Sequence, residues 1–563
     1  MKVVIVGGVA AGATAAARIR RLDETAEIVV FERTGYISYA NCGLPYFIGD
    51  VITDPEELTL QTPESFHRRF RITMKTHHEV TAIDSHRKTV SVTNLDTGRS
   101  WEESYDKLIL APGAKPVKPQ LPGIDLDKIF TLRTVEDTFR IKEYIEKNKP
   151  RSAVLAGGGF ISVEMAENLR HLGMEVTIVQ RPKQLMNPFD PEMAAFIHRE
   201  MSRHGIKLAL GQTIEGFEES NGAVEVLIKD KEPLRADMVI MAMGVAPESA
   251  LAEKAGLKLG LKGAILVNDR METSAADIYA AGDAVQVKNY VTGEDDLIPL
   301  AGPANKQGRI IADNICGGDS RYKGSQGSSV IKVFNLTAAA TGMNETKARK
   351  AGLEADSVIL SPMSHAGYYP GGKQMTMKVV FEKETYRLLG AQIIGYQGVD
   401  KRIDVLATAI HTGMKGYELK DLELAYAPPF SSAKDPVNMA GFMIDNIAKG
   451  ILKQWHLEDM EELPKDGSAT LIDARTEDEY EEGHVSGFRN IPLDSIRDRL
   501  DEIEKGKPVY IMCQSGLRSY IASRILDGYG YDTYNFAGGF LLYDTVMNAK
   551  RMSEESYLCG MKK

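Results

Sequence analysis

The sequence predicts an α/β protein with two dinucleotide-binding units, a segment of mixed strands and helices, and a further compact α/β unit. Residues 2–32 and 152–181 each run from an apolar strand through a glycine-rich turn into a helix and then into a second strand. Residues 326–446 contain strand-like runs followed by helical stretches, and another strand–turn–helix pattern follows residue 465. The 563 residues also suffice for about four domains, at roughly 150 residues each.

Composition narrows the classes of function. With 68 Lys and Arg against 78 Asp and Glu, the formal net charge of −10 argues against a general nucleic-acid binder. No stretch approaches the roughly 18 uninterrupted apolar residues of a membrane span, so we expect no membrane association. Four cysteines without paired spacing are too few for a disulfide scaffold and do not form a zinc-ligand pattern. We therefore expect a cytoplasmic protein without a metal site.

The first glycine-rich turn has Gly7 and Gly12 at the outer positions of a Rossmann-like G-x-G-x-x-G motif, but Val9 at the middle one. Gly8 is expected to supply the missing backbone freedom. Glu32 ends the second strand, where a carboxylate can accept ribose hydroxyls. Taken alone, this unit leaves open a glycine-rich turn that binds no nucleotide. Two such units in one chain, each between a strand and a helix, are a much stronger signal.

The second turn, at residues 157–162, has Ser162 in place of the third glycine, and serine is small enough to keep the helix against the sheet. The following strand ends in Gln180 and Arg181, where units that prefer NAD usually have an acid. Arg181 could pair with the 2′-phosphate of NADPH, or it could be a solvated surface residue. The sequence therefore predicts NADH or NADPH without choosing between them.

Cys42 stands alone in the segment SYANCGLPY, which follows the first unit. Without a second cysteine close by, it must cycle through a mixed disulfide with an external thiol or through a sulfenic acid. A small buried core residue is the alternative interpretation, which the position beside a dinucleotide unit disfavours.

Two further segments, 105–114 and 273–283, resemble the FAD motifs of the two-dinucleotide-domain disulfide oxidoreductases. In that family the aspartate matching Asp283 binds the ribityl chain of the flavin. The resemblance implies that FAD is a cofactor and occupies the first unit. The implied FAD contacts are Gly7, Gly8, Val9, Ala10, Ala11, Gly12, Glu32, Arg33, Val80, Ala111, Pro112, Gly113, Gly282, Asp283, Pro299, Leu300 and Ala301. The expected NAD(P)H contacts are Gly157, Gly159, Phe160, Ile161, Glu164, Gln180, Arg181 and Gly244.

Segments 38–46, 300–309 and 424–436 resemble the coenzyme A disulfide reductases, a single-cysteine branch of these flavin enzymes, over about residues 1–446. The resemblance implies a homodimer in which Tyr368 and Tyr426 reach from the partner toward the substrate sulfur. Related NADH oxidases and peroxidases use a sulfenic acid and usually carry a histidine in the first glycine-rich turn. Val9 and Ala10 stand there instead, which favours a mixed disulfide of coenzyme A on Cys42.

Coenzyme A is a phosphate-rich anion, and two groups of arginines could supply the cations for it. They are Arg18, Arg20 and Arg21, and Arg68, Arg69 and Arg71. On charge alone, a solvated face is the alternative for both groups. With the resemblance, the expected coenzyme A contacts are Thr14, Arg18, Arg21, Ser38, Asn41, Arg71 and Asn305.

The loop Cys513-Gln-Ser-Gly-Leu-Arg518-Ser follows a strand and precedes a helix. Its backbone N–H groups can surround one sulfur anion and lower the pKa of the thiol, as a persulfide-carrying cysteine requires. This loop and the segments around it resemble a single-domain rhodanese, which implies sulfur transfer by Cys513 with Arg518 in its loop. Asp473 and His484 are expected to organise the fold, and Cys316 and Cys559 remain without a role.

The predicted boundaries follow from these assignments. They are an FAD-binding domain at 1–114 and 246–325, an NAD(P)H-binding domain at 115–245, an α+β dimerisation domain at 326–446, a linker at 447–465 and a rhodanese-like α/β domain at 466–556.

The predicted function is NAD(P)H-driven reduction of coenzyme A disulfide, coenzyme A persulfide or polysulfide, coupled to persulfide transfer by Cys513. Small-molecule thiols and a second copy of the chain are the expected partners. An NADH oxidase or peroxidase with a cysteine sulfenic acid, and a redox sensor whose rhodanese-like domain binds a partner, are the alternatives. How Cys513 and Cys42 communicate stays open.

Overall fold

The computed structural model describes residues 1–464 and 466–559, with side chains as far as residue 552. These residues form two compact units, Met1–Leu185 with Gly205–Gly327, and Met186–His204 with Ser328–Cys559. Strands and helices alternate in both units, which confirms the predicted α/β class. No helix among the described residues combines the length and the apolar character that crossing a membrane requires.

The first sheet of the first unit is parallel and has five strands. Its strands, in spatial order, are Ile278–Ala280, Lys107–Leu110, Lys2–Val6, Glu27–Phe31 and Thr73–Lys75. The central residues Val3, Val4 and Ile5 are fully buried because helices cover the sheet, as parallel sheets require. The helices of this part are Ala10–Leu22, Leu44–Ile48, Pro63–Phe70, Ala250–Lys254 and Ala301–Ile315.

Smaller antiparallel sheets accompany it. One has the three strands His78–Asp84, Thr89–Asn94 and Ser100–Ser104, and two others pair Ile37–Tyr39 with Thr59–Gln61 and Val287–Lys288 with Asp295–Asp296.

The second sheet of this unit is also parallel and five-stranded. Its strands, in spatial order, are Ile129–Thr131, Met238–Met241, Ser152–Ala156, Glu175–Gln180 and Lys207–Leu210. The helices Val135–Asn148 and Phe160–His171 belong to it, and Ile214–Ser220, Ala223–Ile228 and Leu234–Ala236 form an antiparallel sheet. The strands Ala114–Pro116 and Val245–Pro247 pair where the chain passes between the two sheets.

The second unit begins with a five-stranded antiparallel sheet. Its strands, in spatial order, are Ser329–Val333, Leu336–Gly342, Leu388–Gly395, Met375–Glu382 and Ala355–Leu360. The helices of this part are Pro191–Arg203, Glu345–Lys350, Val399–His411 and Pro436–Ala448.

The last sheet is parallel, with strands Gln454–Trp455, Asp532–Phe536, Pro508–Met512, Thr470–Asp473 and Arg489–Asn490 in spatial order. Its helices are Glu477–Glu482, Leu517–Gly528 and Gly539–Cys559. The strand Gln454–Trp455 lies inside the segment predicted as a linker, and Trp455 is buried at the edge of this sheet. The neighbouring His456 bonds Asp356 of the antiparallel sheet through its Nε2 at 3.0 Å, and Gln454 donates to the carbonyl of Ser357 at 2.7 Å.

Candidate active site

The first glycine-rich turn lies where the strands of the first parallel sheet end, the edge at which such sheets bind ligands. Gly7 has a φ of +98°, and a Cβ there would lie 2.1 Å from the carbonyl oxygen of Ala111. A Cβ on Gly12 would lie 1.9 Å from the carbonyl oxygen of Gly7, so a side chain at either position would clash with backbone. The N–H of Gly8 donates to Glu32 Oε2 at 2.8 Å, which fixes the acid beside the turn.

Two helices begin beside this edge without a side-chain cap, Ala10–Leu22 after Val9 and Ala301–Ile315 after Leu300. Neither has an acidic residue in its first turn, so their N–H groups and positive dipole ends suit phosphate oxygens. Asp283 lies at the same edge, and burial raises the pKa of its carboxyl while Arg133 opposes the shift. These features fit the dinucleotide that the sequence predicts.

The other residues predicted to bind FAD also have defined positions. Four of them follow the ends of strands in this sheet: Arg33, Pro112, Gly113 and Gly282. Ala10 and Ala11 begin the helix Ala10–Leu22, and Pro299 and Ala301 lie at the start of the helix Ala301–Ile315. Val80 is buried in the three-stranded antiparallel sheet.

The second turn repeats the geometry at the second parallel sheet. Gly157 has a φ of +121°, and a Cβ there would lie 2.1 Å from the carbonyl oxygen of Ala242. Gly159 begins the helix Phe160–His171, with no side-chain cap and open space where its Cβ would be, so it leaves room for a phosphate. Ser162 is fully buried in this helix, as expected for a small residue between helix and sheet.

The remaining residues of the predicted NAD(P)H site lie around this turn. Gln180 is half-buried at the end of the strand Glu175–Gln180, and Arg181 is exposed next to it. Phe160 and Ile161 are the first residues of the helix, and Gly244 has a φ of +104° with open space around it.

Cys42 lies in the short 3-10 helix Asn41–Gly43, with part of its surface exposed. Burial of the sulfur by surrounding protein atoms raises the pKa of its thiol, and the carboxylates of Glu164 and Asp283 raise it further. Burial, together with the charge of Glu167, also raises the pKa of Glu164 to about 7. One cysteine is thus influenced by a residue from each predicted dinucleotide site.

The residues predicted to bind coenzyme A lie on two neighbouring helices, in the strand Ile37–Tyr39, in the 3-10 helix Asn41–Gly43 and at the end of the helix Pro63–Phe70. Thr14 Oγ1 donates to Asn305 Oδ1 at 2.6 Å, and Arg18 Nε donates to Asp313 Oδ1 at 2.8 Å. Both contacts join the helices Ala10–Leu22 and Ala301–Ile315. Arg21, Arg71 and Asn41 are exposed, and Ser38 has a positive φ of 44°.

Arg20 belongs to the same run of arginines but has a different role. Its guanidinium is buried and donates to the backbone carbonyls of Asp23, Glu24, Ala26, Phe70 and Arg71. Arg20 therefore holds the end of the first helix against the following segments and is not available to a ligand.

Tyr368 and Tyr426 meet in the second unit, with their hydroxyl oxygens 2.5 Å apart. Tyr368 is 76% exposed and Tyr426 45% exposed, so this pair is open to a ligand or a second chain. The hydrogen bond to Tyr368 raises the pKa of Tyr426. The neighbouring Tyr369 instead packs edge-on against the ring of His365, which distinguishes it from Tyr368.

Cys513 is 1% exposed at the end of the strand Pro508–Met512. Its sulfur accepts hydrogen bonds from the N–H of Gly516 and from the hydroxyl of Ser519, both at 3.2 Å. Gly516 has a φ of +98°, which lets the loop curl at the start of the helix Leu517–Gly528. Asn535 Nδ2 donates to the carbonyl of Gly516 at 3.3 Å and supports the loop from the next strand.

Arg518 forms a two-bond ion pair with Glu479, with Nη1 to Oε2 at 2.6 Å and Nη2 to Oε1 at 2.7 Å. Glu479, Ser519 and Asn535 were not predicted as site residues from the sequence. The one signal for Glu479 was its place as the last residue of a Thr-x-x-Glu capping box that starts at Thr476.

Asp473 and His484, which were expected to organise the fold, both contact neighbouring side chains. Arg475 forms an ion pair with Asp473, with Nη2 to Oδ2 at 2.7 Å, and His484 stacks on Tyr480 at 3.9 Å between ring centroids.

The one group of three possible metal ligands within the described ranges is Asp190, Glu192 and Glu345. The ammonium group of Lys378 lies 2.9, 2.5 and 2.7 Å from these carboxylates. Burial tends to lower the pKa of Lys378, but the three negative charges outweigh it and raise that pKa. A protein cation therefore stands where a metal ion would.

Three family descriptions match the chain. Residues 1–308 match "Pyridine nucleotide-disulphide oxidoreductase", residues 328–436 match the dimerisation domain of the same family, and residues 456–544 match "Rhodanese-like domain". The predicted family and its C-terminal domain are confirmed by these matches.

One curated protein and two solved structures are similar to most of the chain. A coenzyme A disulfide reductase of Staphylococcus aureus is 38% identical over 442 residues, which are 78% of this chain and 99% of that protein. The crystal structure of reduced CoADR-RHD from Bacillus anthracis has 48% identity and a TM-score of 0.95, covering 97% of this chain and 98% of that one. An NAD-dependent persulfide reductase from A. fulgidus has 38% identity and a TM-score of 0.91, covering 96% and 100%.

Proposed function

The chain belongs to the pyridine nucleotide-disulphide oxidoreductase family, and from this premise we propose that it reduces coenzyme A disulfide or coenzyme A persulfide with electrons from NADH or NADPH. FAD would be held at the first glycine-rich turn and, when bound, would supply the two-electron transfer between the nicotinamide and the protein. The observation that carries the proposal is the single cysteine, Cys42, within the influence of Glu164 from one dinucleotide site and Asp283 from the other.

Cys42 is the residue that exchanges with the substrate. Its thiolate attacks one sulfur of coenzyme A disulfide, the S–S bond breaks, and one coenzyme A thiolate leaves while the other stays bound to Cys42 as a mixed disulfide. Two-electron reduction of this mixed disulfide, with uptake of one proton, returns Cys42 to the thiolate and releases the second coenzyme A as a thiol. With coenzyme A persulfide, the Cys42 thiolate attacks the sulfur bound to coenzyme A, the S–S bond breaks and hydrosulfide leaves. The resulting mixed disulfide is the same, and its reduction releases coenzyme A as a thiol.

Tyr368 and Tyr426 are proposed to serve this step in a homodimer. Their hydroxyls are already paired and exposed, so one phenol can donate a hydrogen bond to a leaving thiolate while the other supports it. The match to a dimerisation domain supports the second copy. Thr14, Arg18, Arg21, Ser38, Asn41, Arg71 and Asn305 are proposed to bind the nucleotide part of coenzyme A.

Cys513 is proposed to carry sulfur. Two hydrogen-bond donors face its sulfur, which stabilises the anion of a thiol or a persulfide. Transfer of that sulfur to a thiol such as coenzyme A produces the persulfide that the Cys42 site reduces. Since a reduced thiol at both sites is required, we place the enzyme in the reducing cytoplasm.

The coenzyme A adduct provides the test. We expect the purified full-length chain to show a yellow flavin spectrum, and its intact mass to fall by one coenzyme A after reduction with dithiothreitol. Cys42→Ser should keep the flavin but carry no adduct.

Two results would contradict the proposal. One is the absence of an adduct after incubation with coenzyme A disulfide. The other is NADH consumption that proceeds equally fast without any disulfide or persulfide, as in an oxidase.

A further inference from the structure

The charges around Cys513 are unusual for a site that would bind an anionic sulfur donor. Arg518 is the only basic residue in the loop 513–519. Its guanidinium donates two hydrogen bonds to the carboxylate of Glu479. The same carboxylate accepts hydrogen bonds from the N–H and the hydroxyl of Thr476, at 3.0 and 3.1 Å. The carboxylate is therefore fixed from two sides, and the ion pair is preorganised.

A second arginine near the loop, Arg475, is also paired with a carboxylate. Arg475 is 2% exposed, forms an ion pair with Asp473, and has its guanidinium 3.8 Å from the centre of the Phe540 ring. The backbone N–H of Phe540 donates to the carbonyl of Cys513. Glu479 also belongs to the helix Glu477–Glu482, in which every residue except Tyr480 is acidic. Both of these arginines are thus compensated by a carboxylate, and an acidic helix lies beside them.

The charge of Arg518 reaches the reacting sulfur. The hydrogen bonds with Glu479 are the largest cause of the raised pKa of Arg518, and the charges of Glu479 and then of Cys513 also contribute. A change in the pairing of Arg518 should therefore change the electrostatic potential at Cys513.

Sulfur donors differ in the charge that this site must accept. With thiosulfate, the Cys513 thiolate takes the outer sulfur, the S–S bond breaks, and a sulfite dianion leaves with the electron pair. With an organic hydropersulfide, the thiolate takes the terminal sulfur, the S–S bond breaks, and a thiolate with one negative charge leaves. The first reaction brings a dianion to the site and releases one, so it needs a free cation far more than the second.

We propose that Glu479 is a positioning residue that sets donor selectivity, since by holding and neutralising Arg518 it makes Cys513 accept sulfur from organic hydropersulfides in preference to thiosulfate. The proposal rests on the sulfur transfer proposed for Cys513 and names its donor class.

The test compares two donors on the full-length protein. The rate of persulfide formation on the Cys513 peptide is measured by mass spectrometry with thiosulfate and with 2-hydroxyethyl hydropersulfide. We expect the wild type to prefer the hydropersulfide, and Glu479→Gln to raise the ratio of thiosulfate to hydropersulfide rates by about tenfold.

Two variants separate this role from general effects. Glu481→Gln removes the same charge from an exposed position of the same helix and should leave the ratio unchanged. Glu479→Asp keeps the charge and should retain the wild-type preference. Added salt should speed the reaction of the wild type with thiosulfate, because it screens the repulsion, and should affect the hydropersulfide less.

Equal use of both donors by the wild type would overturn the inference while leaving sulfur transfer by Cys513 intact. The same shift in Glu481→Gln as in Glu479→Gln would overturn it too, because the ion pair would then be irrelevant. If neither donor loads Cys513 in the wild type, the proposed sulfur transfer fails, and the inference fails with it.

Discussion

Cys42 and Cys513 are both proposed to carry sulfur, yet their surroundings differ in kind. Cys513 is buried and its sulfur receives two hydrogen bonds, from Gly516 and Ser519. Part of the surface of Cys42 is exposed, and no hydrogen bond to its sulfur is present among the described residues. The protein atoms that surround the sulfur, and then the carboxylates of Glu164 and Asp283, raise the pKa of its thiol. The loop around Cys513 thus supplies its own hydrogen bonds to an anionic sulfur. At Cys42, such stabilisation has to come from a bound substrate, a cofactor or a second copy of the chain.

The sharpest way to separate the two sites is to remove each thiol. Cys42→Ser should abolish NAD(P)H-dependent reduction of coenzyme A disulfide and leave persulfide transfer unchanged, and Cys513→Ser should do the reverse. Steady-state rates of both reactions, measured on each variant, check this expectation. A single substitution that stops both reactions would break the comparison, because the two thiols would then act as one site.

The next largest effect concerns the hydrogen-bond donors that Tyr368 and Tyr426 are proposed to supply to the reaction at Cys42. Replacing both Tyr368 and Tyr426 with Phe should lower turnover about tenfold or more, because a hydrogen bond to the leaving thiolate is lost. The flavin absorbance should not change. Tyr369→Phe is the matched control, since Tyr369 packs on His365 and its loss should leave turnover intact. Full turnover in the double variant would refute the role.

Ser519→Ala should make the Cys513 sulfur less reactive, because its hydroxyl donates one of the two hydrogen bonds that the sulfur accepts. A hydrogen bond to a charged group is worth about 1.5–3 kcal/mol, so alkylation of Cys513 by iodoacetamide at neutral pH should slow by about tenfold or more. The rate, followed on the Cys513 peptide, measures this effect. Ser523→Ala, one turn further along the same helix and bonded to the carbonyl of Ser519, should give the wild-type rate.

The smallest effect is expected at Cys42. Since the pKa of Glu164 is about 7, its carboxylate is charged above that pH, and there it disfavours the Cys42 thiolate. Glu164→Gln should therefore lower the pKa of the Cys42 thiol and leave its reactivity below pH 7 nearly unchanged.

Alkylation of the Cys42 peptide across pH 5–10 measures this effect. Glu146→Gln, at an exposed helix position of the same unit, serves as the control. A raised thiol pKa in Glu164→Gln would show that the sign of the interaction is wrong.

Local patterns in the sequence were sufficient to predict the glycine-rich turns and the two cysteines of the candidate sites. Gly7, Gly12 and Gly157 were found because a strand-to-helix turn needs residues without a side chain, and the structure shows carbonyl oxygens where their Cβ atoms would lie. Cys42 and Cys513 were found because of their rarity and their short flanking motifs. Charge alone did not distinguish Arg18 from Arg20, and the family resemblance selected Arg18. Only the fold gives the physical reason, because it shows that Arg20 is bonded to five backbone carbonyls.

By itself, the sequence determined the α/β class, the two glycine-rich turns and the two thiols, since these depend on residue type and spacing along a few turns of chain. Only the tertiary structure decided what surrounds each sulfur. Glu479 lies 39 residues from Arg518, and Tyr368 lies 58 residues from Tyr426. Electrostatic interactions and hydrogen bonds act through space over a few ångströms, so contacts between residues so far apart in the chain exist only once the chain has folded.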